Sequence, residues 1–278
     1  MNYRHAFHAG NFADVTKHAL LSRIIEHLKA KPAPFRVVDT HAGIGRYDLG
    51  ASEAERTAEW RGGIGRVAEP FGPEVEELLA PYRAAVAEVR ARHGDTAYPG
   101  SPAIIRELIR PEDRAVLTEL HPEDCALLTE RFNRVANVKV LHLDGWTALG
   151  SLLPPRERRG LVLIDPPYEV PGELMRAPAR LSAALAKWET GIFALWYPIK
   201  NPAEIDAFAK TLAAALTRDA LRLELTVDRP WNNRLIGSGL LVVNPPWKLA
   251  EEASVLLPAL AERLAVGEGG WRCEAVGR

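Results

Sequence analysis

Apolar residues recur along this chain in two alternating rhythms, one of helical period and one of short unbroken runs. Between Asn11 and Lys31 they fall at Val15, Leu20, Leu21, Ile24, Ile25 and Leu28, a helical stripe with Asn11 placed to cap it and Asp14 three positions later. Short aliphatic runs at 35–39, 115–119, 138–142, 161–165, 192–196, 221–227 and 240–244 read as strands. Helical patterns at 103–110, 122–135, 173–188, 202–216 and 248–264 separate most of them. Strand and helix in alternation predict an α/β, Rossmann-like fold with a mostly parallel, doubly wound sheet. The last two strands have only a Pro/Trp/Asn/Gly loop between them, which predicts an antiparallel hairpin at the sheet edge.

One spacing departs from that scheme. A nucleoside-binding fold places the acid that ends its second strand about 20 residues beyond the first glycine loop. Here the best candidate, Glu119, lies far past that point. The excess is a segment rich in Glu, Arg and Ala that reads as two or three helices. The expected organisation is a main domain formed by residues 1–52 and 98–278, with an inserted helical subdomain at 53–97.

Candidate chemistry gathers at the ends of the parallel strands. Asp39-Thr40-His41-Ala42-Gly43-Ile44-Gly45 is a glycine-bearing loop after the first strand, and its two glycines let a ligand approach the backbone. No third glycine completes a pyrophosphate fingerprint, and no phosphate-loop Gly-Lys-Ser/Thr motif occurs. Glu119 can accept two ribose hydroxyls, and Asp144-Gly145 can bond an adenine amine and let the ring lie on backbone, although Asp144 is equally placed to cap a helix. Four successive strand ends thus carry Asp39, Glu119, Asp144 and Asp165 toward one crevice.

The fourth of these opens Asp165-Pro166-Pro167-Tyr168, directly after Leu161-Val162-Leu163-Ile164. The tetrapeptide resembles the catalytic motif of methyltransferases that alkylate exocyclic amines of nucleobases. Such an amine is a poor nucleophile because its lone pair is delocalised into the ring. A site must accept from both of its N–H groups, which the Asp165 carboxylate and the Pro166 carbonyl can do. Two prolines fix φ and bring no competing donors, and Tyr168 can stack on the base. The structural alternative is a turn in which the prolines only stop the strand. Asn244-Pro245-Pro246-Trp247 repeats the pattern, but the strand order assigns it to the hairpin, as a strand terminator.

Composition narrows the setting. The chain has 278 residues, a net charge of -1 and two distant cysteines, Cys125 and Cys273, with no metal-ligand spacing, so no disulfide framework or metal is expected and a reducing, cytoplasmic setting fits. No apolar leader and no run of membrane-spanning length is present. A near-neutral protein that grips nucleic acid must do so through a local patch. Arg4, Lys17, Arg23, Lys29, Lys31 and Arg36, opposed nearby only by Asp14 and Glu26, form one candidate, and Arg156, Arg158 and Arg159 another.

Read together, Tyr3-Arg4-His5, Phe7-His8-Ala9-Gly10-Asn11, Lys17-His18, the Asp39 loop, Tyr98-Pro99-Gly100-Ser101-Pro102, Thr118-Glu119-Leu120-His121-Pro122, Asp165-Pro166-Pro167-Tyr168, Ala194-Leu195-Trp196-Tyr197-Pro198 and Asn244-Pro245-Pro246-Trp247 resemble the bacterial large-subunit 23S rRNA adenine-N6 methyltransferases of the J type. The resemblance covers nearly the whole chain. It implies S-adenosylmethionine as methyl donor and one adenine of 23S rRNA as acceptor. It also implies cofactor contacts at His18, His41, Ser101, Glu119, Asp144, Gly145 and Asp165, which join Asp39 and Gly43 of the loop. Asp165, with Pro166 and Tyr168, is the implied catalytic group, and Tyr3 an RNA contact beside Arg4 and Lys17. Each has a plainer alternative: His18 can simply pack, and Ser101 can cap the helix that follows it. The rival functions are transfer to an amine in DNA or on another base, and a non-catalytic rRNA-binding assembly factor.

Overall fold

The computed structural model describes residues 4–230, 232 and 234–276. Helix α1 (Phe12–Lys29) begins where Asn11 turns its side chain to accept the N–H groups of Ala13 and Asp14. Its polar residues Asp14, Thr16, Lys17, His18 and Ser22 are buried along with its apolar stripe, so the helix is enclosed on more sides than its sequence pattern implies. Strand β1 (Arg36–Asp39) follows, then β2 (Arg46–Asp48), α2 (Ser52–Thr57) and the long α3 (Pro73–His93). Strand β3 (Ala97–Pro99) pairs antiparallel with β2, a small second sheet that begins directly after the glycine loop.

The regular alternation resumes at α4 (Ser101–Leu108) and β4 (Arg114–Glu119), then α5 (Pro122–Phe132) and β5 (Val138–His142). Next come α6 (Gly145–Ser151), β6 (Gly160–Ile164), α7 (Glu173–Lys187), β7 (Ile192–Ile199) and α8 (Pro202–Ala215). The chain closes with β8 (Ala220–Thr226), β9 (Gly237–Val243), α9 (Leu249–Leu264) and β10 (Gly270–Val276). The main sheet has eight strands in the order β10-β8-β9-β7-β6-β1-β4-β5. The five from β7 to β5 are mutually parallel, and β9 and β10 run against their neighbours.

The β8–β9 hairpin is not the sheet edge, because β10 pairs along the outer side of β8. That strand lacks a sequence signature: Trp271, Arg272, Glu274 and Ala275 are exposed, so nothing required alternating apolar residues there. Strand β9 also starts earlier than its aliphatic run. Gly239 faces Tyr197, where a Cβ would sit 2.1 Å from a ring carbon, so the strand needs glycine in the stretch that reads as loop.

Alternation along the strands divides the core between two faces. Val37, Leu161 and Leu163 pack with α1, α3, α4 and α9, whereas Val38, Val162 and Ile164 pack with α7 and α8. Helix α3 contributes Leu79, Tyr82 and Val86 to the first of these cores. Helix α1 is fixed to α9 by Glu252, which takes two hydrogen bonds from Arg23, at 2.9 and 2.7 Å, and one from His27 at 3.0 Å.

Burial opposes the Glu252 charge, but His27 and Arg23 outweigh it and hold the carboxyl down at about 2. Because the folded value lies below the ordinary one, this contribution is complete above the ordinary glutamate range and disappears as pH falls toward 2. Glu252→Gln is expected to lower unfolding free energy by about 1–3 kcal/mol at neutral pH. Urea titrations at successively lower pH should show the gap to wild type closing.

Candidate active site

Strands β5, β4, β1 and β6 are adjacent and parallel, so their carboxyl ends share one edge of the sheet. Asp144, Glu119, Asp39 and Asp165 stand along that edge, in the crevice position of doubly wound folds. Asp39 is fully buried, and its Oδ2 has no hydrogen-bond partner within the protein. Burial and the nearby Asp165 carboxylate raise its pKa to about 7, against the pull of the Ser101 hydroxyl, the His41 N–H and Lys17. Ser101 is the first residue of α4 rather than its cap, which leaves its side chain beside Asp39.

Glu119 accepts the Gly43 N–H through Oε2 and the His121 N–H through Oε1, both at 2.8 Å. Each oxygen keeps a second lone pair for a ligand hydroxyl. Gly43 has φ +58, and a Cβ there would lie 2.4 Å from the Tyr47 hydroxyl. Gly145 is tighter still, with a would-be Cβ 2.3 Å from the Thr40 carbonyl and 2.5 Å from the His41 ring. These loops therefore meet as backbone, and Asp144 does cap α6, accepting from the Thr147 N–H at 2.7 Å. Burial lowers the pKa of His41 to about 4, with Arg180 adding to the effect and Asp165 and Asp144 opposing it, so the ring is neutral near pH 7. Its edge meets Trp146 at 5.8 Å between centroids.

The reacting end is organised by α1. Lys17 Nζ donates to Asp165 Oδ2 at 2.5 Å, lies 3.1 Å from Asp14 Oδ1 and sits 5.8 Å from the Trp196 ring centroid. Burial works against this ammonium, yet Asp165 and Asp14 hold its pKa above the usual lysine range. Asp14 also accepts from the Gly10 N–H at 3.0 Å and pairs with His5 Nε2 at 2.8 Å. Tyr168 has φ +52, unusual for an aromatic residue, and its hydroxyl donates to the Trp196 carbonyl at 2.5 Å.

Of the basic residues read as surface patches, Arg4, Lys31, Arg156 and Arg158 are exposed, but others are turned inward or paired with acids. Lys17 is 5% exposed and turned into the crevice. Arg4 pairs with Glu123, Arg23 with Glu252, Lys29 with Glu26 and Arg36 with Glu157. Most of these acids come from distant segments that a local charge count does not see. Arg156, Arg158 and Arg159 precede β6, and so stand at the amino end of a strand whose carboxyl end carries Asp165. Arg159 spends its guanidinium on the Leu28 and Ala33 carbonyls. His5 and His8 have the carboxylate partners that the sequence did not reveal, Asp14 and Glu59. Among the described residues no group of three potential ligands is arranged to hold a metal. Tyr3 lies outside the described residues.

His18 packs at 1% exposure against the Tyr98 hydroxyl, 3.0 Å from Nδ1. Asn244 closes β9 at the opposite edge of the sheet, where its amide donates to the Glu189 and Gly191 carbonyls. Asp14, His5 and Trp196 stood in the sequence within motifs, and Asp14 also as part of a cap and as an acid near the basic cluster, but none was assigned a place in the crevice. Asp14 and Lys17 have the spacing of a helical pair, but Glu26 and Lys29 repeat it in the same helix at greater exposure, so spacing alone did not single out the buried pair.

The strand order, the reversed hairpin and the acids at four neighbouring strand ends define a Rossmann-like methyltransferase fold with an acid-lined crevice. Comparison with known proteins specifies it further. The family described as "Ribosomal RNA large subunit methyltransferase D, RlmJ" matches residues 32–276. The chain is 42% identical over 268 residues to "Ribosomal RNA large subunit methyltransferase J" of Escherichia coli strain K12, covering 95% of this chain and 94% of that protein. Its Haemophilus influenzae counterpart is 39% identical over 277 residues, covering 99% and 98%. A crystal structure of a Legionella pneumophila protein superposes with a TM-score of 0.86 at 32% identity, covering 97% of this chain and 98% of that one. The chain belongs to the RlmJ family of ribosomal RNA large-subunit methyltransferases.

Lys17→Met would leave Asp14 and Asp165 buried without their shared cation. The expected cost is about 3 kcal/mol of unfolding free energy, read by urea denaturation. Adding Asp165→Asn should recover only the part that comes from Asp165, because Asp14 still lacks the ammonium.

Proposed function

We propose that this protein transfers the methyl group of S-adenosylmethionine to the exocyclic N6 of one adenine in 23S rRNA, acting in the cytoplasm on free or early-assembly RNA. The observation that carries the reading is the Asp165-Pro166-Pro167-Tyr168 turn, held at the end of β6 by Lys17 and placed next to three acids of the cofactor type.

The residues present suit that cofactor. A buried carboxylate with an unpartnered oxygen, Asp39, matches a cationic amino-acid moiety; Glu119 has lone pairs for a ribose; and Asp144-Gly145 presents an acid and bare backbone to a base. When bound, the sulfonium supplies a methyl group already activated by its leaving group. The protein's tasks are then positioning and charge placement. Lys17 engages Asp165 Oδ2, which leaves Oδ1 to accept one N–H of the amine, and the Pro166 carbonyl accepts the other. Tyr168 and Trp196, 6.0 Å apart between ring centroids, supply aromatic surface for an extruded adenine. A proton lost from the methylated nitrogen passes to Asp165 or to water.

The test is incubation with donor carrying a labelled methyl group and either deproteinised, unmodified 23S rRNA or double-stranded DNA, followed by digestion to nucleosides. Label in N6-methyladenosine from rRNA alone is expected, and Asp165→Ala should reduce turnover at least tens-fold, the effect of losing a hydrogen bond to a charged acceptor. Label in DNA or on cytosine would overturn the acceptor; absence of donor binding would favour an assembly factor without catalysis.

Asp39 adds a pH dependence. Below about 7 it holds a proton, and a positively charged ligand group favours its ionised form, so binding must expel that proton. Donor affinity should therefore rise with pH up to about 7, by as much as roughly tenfold per unit, and level off above it. Calorimetry in buffers of different ionisation enthalpy should register the released proton, and Asp39→Asn should flatten the profile.

A further inference from the structure

Behind the ion pairs of α1 runs a chain of buried polar groups. Tyr82 of α3 and Tyr98 of β3 have their hydroxyl oxygens 3.1 Å apart, and the Tyr98 hydroxyl lies 3.0 Å from His18 Nδ1. His18 Nε2 faces Asp14 Oδ1 at 3.9 Å. Tyr82, Tyr98, His18 and Asp14 are at most 2% exposed, so no solvent competes for these groups.

Their protons can be ordered from one end. Burial, reinforced by Lys17 and His5, lowers the His18 pKa to about 3 against the pull of Asp14, so the ring is neutral and carries one N–H. Asp14, held charged against its burial by His5 and Lys17, can only accept. A lone pair on Nε2 would point at that carboxylate; an N–H there is attracted to it. The proton therefore sits on Nε2, Nδ1 is the acceptor, the Tyr98 hydroxyl donates to it, and the Tyr98 oxygen accepts from Tyr82.

We propose that Tyr98, oriented by Tyr82 of the inserted helix, is a positioning residue for methyl transfer: it locks His18 as the Nε2–H tautomer beside Asp14. With that N–H turned toward Oδ1, Asp14 draws less on Lys17, which stays close to Asp165, at 2.5 Å against 3.1 Å to Asp14. With the other tautomer the Nε2 lone pair would face Oδ1, and Lys17 would be pulled off Asp165 toward Asp14. The inserted segment thus reaches the reacting carboxylate through Tyr82, Tyr98, His18, Asp14 and Lys17. The effect on turnover rests on the methyltransferase reading above; the tautomer does not.

Long-range proton–nitrogen correlation spectra of the histidine-labelled full-length protein read the tautomer directly. The wild type is expected to show His18 with a bare Nδ1 and a protonated Nε2. Tyr98→Phe should move His18 away from that signature and lower kcat on rRNA by roughly fivefold or more with KM little changed, the effect of one misplaced buried hydrogen bond. Tyr82→Phe, which removes only the far hydroxyl, should give a smaller loss in the same direction. A proton on Nδ1 in the wild type overturns the proposal, and that spectrum decides even if Tyr98→Phe fails to fold. Wild-type kcat in both variants overturns the positioning role. Failure of the rRNA reading would instead appear as no transfer by the wild type with the His18 spectrum unchanged.

Discussion

One buried ammonium joins the first helix to the end of the strand that carries the reacting turn, and much of the local structure is arranged to hold it. Taking Lys17, Asp14 and Asp165 out of water costs several kcal/mol per ion, and their mutual attraction offsets this only where the geometry is good and the remaining polar atoms are satisfied. Those conditions are visible. Asp14 is supplied by the Gly10 N–H and by His5, and Asn11 starts the helix so that Asp14 and Lys17 share a face. Glu252 fixes the far end of α1 through Arg23 and His27, which sets its rotation over the sheet. A small turn of α1 about its axis would leave charges buried without partners, so the packing of α9 and the placement of Asp165 belong to one constraint.

The parts of the fold legible in sequence are those in which burial forces a pattern. Strands β1, β4 and β6 are covered on both faces and therefore read as aliphatic runs, and their order places Asp39, Glu119, Asp144 and Asp165 correctly along one edge. Illegible elements were those under weaker or non-local demands. Strand β10 is an exposed edge, β2 and β3 have three residues each, and β9 begins Gly-Ser-Gly, with Tyr197 in the space a side chain at Gly239 would take and the Leu225 carbonyl in that of Gly237. Charge was misread for a related reason. Arg23 and Glu252 are 229 positions apart, so no local count can pair them. Lys17 was visible as a basic residue, but its burial depends on how α1 lies across the sheet, which periodicity does not specify.

The two Pro-Pro-aromatic turns show what strand direction does to a motif. Asp165 and Asn244 each follow four aliphatic or nearly aliphatic strand residues and each precede two prolines. Strand β6 runs parallel to β7, so its turn emerges at the edge where α1 delivers Lys17 and where the other acids stand; β9 runs against β7, so its turn emerges at the opposite edge. The backbones then do different work. Asn244 takes φ +54, which asparagine tolerates, and spends its amide on two carbonyls at the start of β7. Trp247 is left 82% exposed. In the other turn the positive φ falls on Tyr168, which tolerates it poorly and is held there by the Trp196 carbonyl and ring. Strain borne by an aromatic residue beside a buried ion pair marks the turn that must keep its shape, whereas relaxed geometry and an exposed tryptophan mark one that only ends a strand. The absence of a helix between β8 and β9 was enough to assign the second turn to the far edge, because only a hairpin reverses direction without a crossover.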